Sequence, residues 1–497
     1  MILQRIKPLA RILAEGRDEQ HGLKRSLGPW ALTAMGIGAI IGTGIFVFTG
    51  VASATRAGPA ITISFVVAGI VSALAALCYA EVSSKIPISG SAYTYTYATW
   101  GELLAWIVGW GLVLEYALGA ATVSSGWSGY AVNILQTFGV NLPVAWTHSH
   151  WDATPGIANI PAAVIILVLT ALLIRGTRES GSVNAVIVAI KVVIVIFFIV
   201  VGVGHITNAY YHLPPGPQTG LGGYFPFGIT GMLGGAAFSF FAYIGFDAVS
   251  TAAEEAKNPA RDLPFGIIAS LVVCTILYII VVAILNGMVP FYKLNVAFPV
   301  AFAMNYVGLP WAGVVISFGA LAGLTTVMLV MMFGQTRVFF AMSRDGLIPR
   351  SFTTLHPQWR TPWISQLIFG VLIAIGGAFF PIAILGSLTN MGTLAAFVLT
   401  SAAVPLLRLR HPELRSDFIV PGGPFVVPIL SALSALVLMY YLKVGNPLVW
   451  GFFPLVWLGF VIWFAVGIIF YFGYGRRKST VALEETEHLA IVQPRVN

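Results

Sequence analysis

Apolar residues run in long blocks along nearly the whole chain, separated by short polar or Gly/Pro-rich joints. A helix needs about 20 mostly apolar residues to cross a bilayer. The pattern predicts twelve such spans, near 29–51, 59–84, 101–125, 160–175, 184–206, 229–254, 265–289, 311–342, 364–380, 383–407, 424–443 and 448–473. Pro59, Pro161, Pro264, Pro310 and Pro362 fall near span starts, where a missing N–H does least harm. Stretches 140–158 and 207–228, rich in Trp, His, Pro and Gly, are expected as outer loops. Residues 1–28 are polar and basic, and the apolar run after them is too long for a signal-peptide core. They are expected as an uncleaved cytoplasmic tail, with a second tail over 474–497.

Composition excludes an ordinary soluble domain. Of 497 residues, 58% are apolar and 9% charged, against an ordinary charged share of about 25%, and the mean hydropathy is +0.89. The only cysteines, Cys78 and Cys274, both sit in apolar runs, which argues against a disulfide framework or a zinc site. A net charge of +8 invites a nucleic-acid partner, but its placement speaks for topology. With the amino terminus inside, 22 of the 26 Lys and Arg fall on the inner side. Arg56, Lys293 and Lys443 lie outside, and Lys191 alone lies within a span. That is the positive-inside pattern of a polytopic membrane protein with both termini cytoplasmic.

Twelve spans from an inner start make the five of 29–206 and the five of 229–407 opposite in direction, with 424–473 left as a final pair. The expected fold is all-α, a 5+5 inverted repeat of the leucine-transporter type, with helices 1 and 6 discontinuous. Such transporters bind substrate where those helices break. The first span carries Gly36, Gly38, Gly42 and Gly44 within nine residues, each costing about 1 kcal/mol in a helix interior relative to alanine. An unwound turn at that depth needs protein or a polar cavity around it. A plain glycine face for close helix packing is the alternative. Span 6 repeats the signal at the corresponding place, where Gly245 follows Phe240-Phe-Ala-Tyr-Ile and Asp247 lies deep in the span.

Charges inside a membrane are functional candidates by default, and Glu115, Lys191 and Asp247 stand out. The Lys191 ammonium could point at carbonyls freed by the break in span 1, where sodium sits in related architectures. Balanced between desolvation and those carbonyls, it could take and release a proton. The alternative is a static pin between spans 5 and 1. Glu115 is a candidate proton carrier, because burial penalises a carboxylate, or else an acceptor for hydroxyls such as Tyr116. Asp247 suits the start of the inner half-helix, with Tyr278 in reach of it and a gating role second. Glu254 and Glu255, nearer the span end, join that group, with a solvated end as the alternative. Glu81, Glu102 and Arg337 lie nearer span ends, where solvation accounts for them.

The binding site itself should be mostly backbone. An amino acid carboxylate suits N–H groups at a half-helix start, here Ile41, Gly42, Thr43 and Gly44. Its ammonium suits carbonyls of Ile40, Phe241, Ala242 and Ile244. Phe241, Ile244 and Met331 would wall the side-chain pocket, and no acidic residue greets a cationic side chain, which favours small neutral substrates. No Walker loop, HExxH or nucleophile elbow occurs, so neither an enzyme nor ATP-driven transport is expected. No metal or cofactor is expected, and the driving force would be a proton gradient without sodium.

Gly36–Phe46, Pro87–Tyr95, Phe240–Glu255, Asn258–Pro264, Gly334–Arg337 and Ser343–Pro349 resemble, in that order, motifs of the cationic amino acid transporter family. That family lies within the amino acid–polyamine–organocation superfamily, and the similarity runs from about Leu27 to Gly475. The resemblance implies spans 1, 2, 6 and 7 rocking against 3, 4, 5, 8, 9 and 10, and proton-coupled import of L-amino acids, as in bacterial members. It also matches Lys191 to a lysine placed where sodium-driven relatives bind their ion. The expected function is therefore proton symport of small neutral, and secondarily cationic, L-amino acids by alternating access. The alternatives are an obligate amino-acid exchanger on the same fold and, more remotely, an amino-acid-binding receptor, for which the tails are too short to hold a signalling domain. Expected partners are the substrate and the lipid bilayer, with no nucleic acid and a small accessory membrane peptide left open.

Overall fold

The computed structural model describes residues 5–8, 27–87, 91–152, 154–176, 181–414, 418–449 and 453–483. Its main helices in chain order are α1 (Pro29–Ile40), α2 (Ile61–Lys85), α3 (Glu102–Thr137), α4 (Ile160–Arg175), α5 (Gly181–Gly202) and α6 (Gly228–Ser239). They continue as α7 (Pro259–Met288), α8 (Pro310–Arg344), α9 (Trp363–Phe379), α10 (Ile382–Arg410), α11 (Val426–Tyr441) and α12 (Leu455–Phe470). Among the described residues, eight helical stretches are long and apolar enough to cross a membrane, and α1, α4, α9 and α11 are shorter apolar helices. Val200, Ile229 and Ile469 are among many large apolar residues left exposed, the outer surface a lipid solvent requires.

The centre is built by α3, which packs along α8 and α10, while α7 packs along α1 and α2. Where helix and predicted span differ, the cause is local. α3 runs to Thr137, about three turns past the expected end at 125. Hydropathy falls there because its polar residues face other helices. Asn133 Nδ2 donates to Ser317 Oγ at 3.0 Å, and Ser128 Oγ to Asn159 Oδ1 at 2.6 Å. α7 starts at Pro259, so Pro264 lies inside it instead of marking its start. Short helices Ser91–Thr99 and Pro299–Tyr306 lie between the predicted spans.

Glu81 and Glu102 correct the expectation of solvated span ends: both are buried. Arg408 clamps Glu81 with two bonds, Nε at 2.7 Å and Nη2 at 2.5 Å, and Lys85 Nζ adds a third at 2.8 Å. α2 and α10 are thereby joined at the end of the bundle that also carries Arg344 and Arg410, here called the basic end. Glu102 accepts from Tyr471 at 2.9 Å, Tyr97 at 3.2 Å, and Ser479. Nearby, Asp345 binds Lys7 Nζ at 2.9 Å and the Tyr93 hydroxyl at 2.7 Å. A buried acid broken from such partners would be left as an uncompensated charge. Arg337 is exposed, its guanidinium 4.0 Å from the centroid of the Phe333 ring, in keeping with the expectation for it.

Candidate functional site

α1 ends at Ile40. Ile41 is extended (φ −71°, ψ 100°), and winding resumes at Thr43 and Gly44 in a π-type turn. The corresponding segment after α6 narrows to a single tight turn over Phe240–Tyr243, then extends at Ile244 (φ −60°, ψ 135°). Gly245 follows at φ +119°, a conformation L side chains rarely adopt. The two interruptions cross in contact. A Cβ on Gly44 would collide with Ala242 Cα, and one on Gly245 would lie 2.8 Å from the Ala39 carbonyl. Glycine at both crossings is therefore a requirement of backbone approach.

Among the described residues, the amides of Gly42, Thr43 and Gly44 find no backbone acceptor, and the carbonyls of Ala242 and Ile244 accept no backbone bond. Donors of one interruption thus lie beside acceptors of the other, both buried. Of the other expected acceptors, the Ile40 carbonyl takes the Tyr278 hydroxyl at 2.8 Å, and Phe241 accepts from Ile244 N–H at 3.3 Å. The first of these corrects the expected pairing of Tyr278 with Asp247. α7 lies along α1, which brings that hydroxyl to the helix end.

Lys191 is fully buried, and its Nζ donates to the Gly38 carbonyl at 2.6 Å. Its stem runs over Gly323 of α8, whose ideal Cβ would stand 3.2 Å from the lysine Cγ. Gly323, Val327 and Met331 recur every four residues and so share one stripe of α8. Val327 reaches Gly42, and Met331 packs against Gly119 of α3, with its sulfur 2.9 Å from the position of that glycine's ideal Cβ. This single stripe therefore spans from the lysine past the first interruption to α3.

Asp247 is buried and caps its own turn, its Oδ1 accepting from Gly245 N–H at 3.3 Å. The Tyr116 hydroxyl reaches its Oδ2 at 3.5 Å, so Tyr116 faces Asp247, not the neighbouring Glu115. Glu115, Tyr116, Tyr79 and Tyr95 all lie within electrostatic reach of Asp247. Glu115 Oε1 and the hydroxyls of Tyr79 and Tyr95 are buried without a hydrogen-bond partner among the described residues. Buried polar groups are seldom left so, and this cluster has the capacity to take up a proton or a polar ligand group. Glu255 is half-buried and its carbonyl binds Leu27 N–H at 3.0 Å. The Glu254 side chain lies outside the described residues.

Three residues the sequence reading missed complete the surroundings. Asn390 of α10 donates 2.9 Å bonds to the carbonyls of both Ala237 and Phe238 at the end of α6. An amide inside an apolar span was the signal for it. Tyr130 of α3 binds the Phe46 carbonyl at 2.7 Å. Arg56, counted above as an outside charge, is only 2% exposed. Its guanidinium lies 4.3 Å from the Phe238 ring centroid and donates to the Val444 carbonyl, while Nε has no partner among the described residues. Below it Phe48 stacks on Phe238 at 4.3 Å and contacts Phe241 at 4.7 Å. On the other side of the interruptions, Tyr79, Phe246 and Phe397 meet at ring separations of 5.1–5.8 Å. The crossing is thus enclosed between two aromatic layers.

A family model described as amino acid permease matches residues 27–475. The chain is 47% identical over 477 residues to a methylthioribose transporter of Bacillus subtilis (strain 168), covering 96% of this chain and 98% of that protein. It is 47% identical over 483 residues to a branched-chain amino acid permease of the same organism, with the same coverage. Identity to the vacuolar cationic amino acid transporter 4 of Arabidopsis thaliana is 39% over 402 residues, 80% of this chain and 65% of that one.

Proposed function

The chain belongs to the amino acid permease family, whose members are membrane transporters and not enzymes, and from that premise we propose proton-coupled symport of neutral L-amino acids. The protein works in a bacterial cell membrane with both termini cytoplasmic. Twelve spans form a five-plus-five inverted repeat, and α1 and α6 with their continuations are the two broken helices. Substrate carboxylate is held by the amides of Gly42, Thr43 and Gly44, and its ammonium by the carbonyls of Ala242 and Ile244. Phe241, Ile244, Val327 and Met331 bound an apolar side chain, which agrees with a relative named as a branched-chain amino acid permease. Ile40, Ile41 and Tyr278 shape the first break, and Asp247, Glu254 and Glu255 act in closing the basic end.

One observation carries the coupling: the Lys191 ammonium occupies the freed Gly38 carbonyl, so a charged side chain answers the broken helix end and no sodium is needed there. Loss of its proton would weaken that bond and free α1 to move. Glu115, with Oε1 unpartnered, is the second carrier, and the two exchange roles with the conformational state.

Uptake into proteoliposomes holding the pure protein tests this. Radiolabelled L-alanine, L-valine and L-arginine are supplied with and without an inward proton gradient in sodium-free buffer, for wild type and Lys191→Ala. Concentrative uptake of the neutral substrates only with the gradient, lost in the variant, is expected. Uptake that ignores the gradient but demands internal amino acid would make the protein an exchanger. The equal identity to a methylthioribose transporter favours one second reading, in which that sugar is the cargo. The pairing of free donors with free acceptors suits a zwitterion better, and competition of methylthioribose against valine decides.

A further inference from the structure

At the basic end, a cleft of about 360 Å³ lies between the amino-terminal segment and the end of α12, lined by Arg5, Phe472, Arg476, Arg477, Ala482 and Leu483. Among the described residues, none that lines it is acidic. Behind them, Glu102 lies 3.7 Å from Arg5 Nη1, which also donates to the Arg476 carbonyl at 3.0 Å. The Glu102 carboxylate is shared with Tyr97, Tyr471 and Ser479, and Arg476 and Arg477 of the lining stand exposed. Its remaining walls are apolar and open, with Phe472 40% and Leu483 44% exposed.

Position along the helix narrows the occupant. α12 shows an apolar surface outward, as far as Ile469 and Phe472, and Arg476 follows Phe472 by one turn, its guanidinium 5.8 Å from that ring. Apolar exposure followed within a turn by exposed arginines is the order in which acyl chains give way to headgroups. A soluble anion would use the guanidinium groups and leave Phe472 and Leu483 unexplained. We propose that this cleft binds an anionic phospholipid, its phosphate on Arg476 and Arg477 and its glycerol and upper acyl carbons along Phe472 and Leu483. Between Arg477 and Ala482 the chain is tied into the bundle, Ser479 to Glu102 and Thr480 N–H to the Asp345 carbonyl at 3.0 Å. The inference rests on α12 crossing the membrane and not on the substrate or its coupling, so its test uses no transport.

Full-length protein in mild detergent is mixed with equal phosphatidylglycerol and phosphatidylcholine, and retained lipid is counted by native mass spectrometry. Wild type is expected to keep phosphatidylglycerol several-fold over phosphatidylcholine, and Arg476→Gln/Arg477→Gln to fall to parity with an unchanged melting temperature in phosphatidylcholine. Because both arginines are exposed, the variant should fold. An unchanged preference in that variant would overturn the proposal. So would an equal fall in Arg350→Gln, which removes another exposed charge and would mean a general surface effect. Inorganic phosphate displacing the lipid at matched concentration would make this a free-anion site. A preference arising only in Glu484→Gln/Glu485→Gln/Glu487→Gln would mean the chain's own acidic run fills the cleft, which equally overturns it.

Discussion

After Ile40 the freed carbonyls are answered from other helices, by Lys191 of α5 on Gly38 and by Tyr278 of α7 on Ile40. After Tyr243 the chain answers itself. Gly245 supplies the positive φ, its N–H bonds to Asp247 two residues on, and Ser250 Oγ returns to the Asp247 carbonyl at 2.6 Å. The first interruption holds its shape only while α5 and α7 stand where they do. The second is a turn capped by its own Asp247, with Asn390 of α10 holding only the carbonyls of Ala237 and Phe238 before it. The first break therefore depends on its neighbours where the second is closed largely by its own residues.

Four substitutions test that contrast, beginning where the effect is largest. Gly44→Val should abolish uptake, by roughly 100-fold or more, because one misplaced ångström of backbone at a site is enough for that and the new side chain meets Ala242. Radiolabel uptake per mole of monodisperse protein is the measure, and near-normal transport would mean the two segments do not need this close approach. Lys191→Ala comes next. It strips the Gly38 carbonyl and opens a void over Gly323, at a cost of about 2–5 kcal/mol, visible as a lower melting temperature together with loss of gradient-driven uptake. Normal stability and transport would remove the borrowed partner from the account.

Tyr278→Phe deletes one neutral bond, worth about 1 kcal/mol. KM should rise several-fold with the gradient dependence intact; a defect as deep as that of Lys191→Ala would show that charge is not what sets the lysine apart. Asp247→Asn is the mildest. An amide oxygen still accepts from Gly245 N–H, so stability should move by less than about 1 kcal/mol. A large loss of transport at unchanged stability would show the carboxylate acting beyond its own turn.

Both interruptions are readable in the chain because the glycines of Gly36–Gly44 and the Gly245–Asp247 signal fall at corresponding places of two spans, which a plain packing face does not require. Lys191 stood out as a lone cation with apolar neighbours on every side. What failed to show depends on crossings between helices. Tyr278 was assigned to Asp247 by its span alone, yet the path of α7 along α1 delivers it to Ile40. Glu81 and Glu102 looked solvated because they fall near span ends, and only the arrival of Arg408 and Tyr471 from more than 300 residues away buries them. Arg56 is covered by the turn that follows α11, and hydropathy carries no trace of that.

The missing side chains at Gly44 and Gly245 also bear on how such a protein can change over generations. Each crossing is a lock cut for one key: Gly44 fits the Ala242 backbone, and Gly245 fits Ala39. Neither segment can be exchanged alone for one with bulk at the meeting point, so the pair is expected to change only as a unit although some 200 residues of chain separate its halves. A chimera taking residues 36–46 from a distant relative should fail, and one taking 240–255 as well should recover. A change of cargo is then expected from neighbours beside the crossing, such as Val327 at Gly42 and, one turn along α8, Met331.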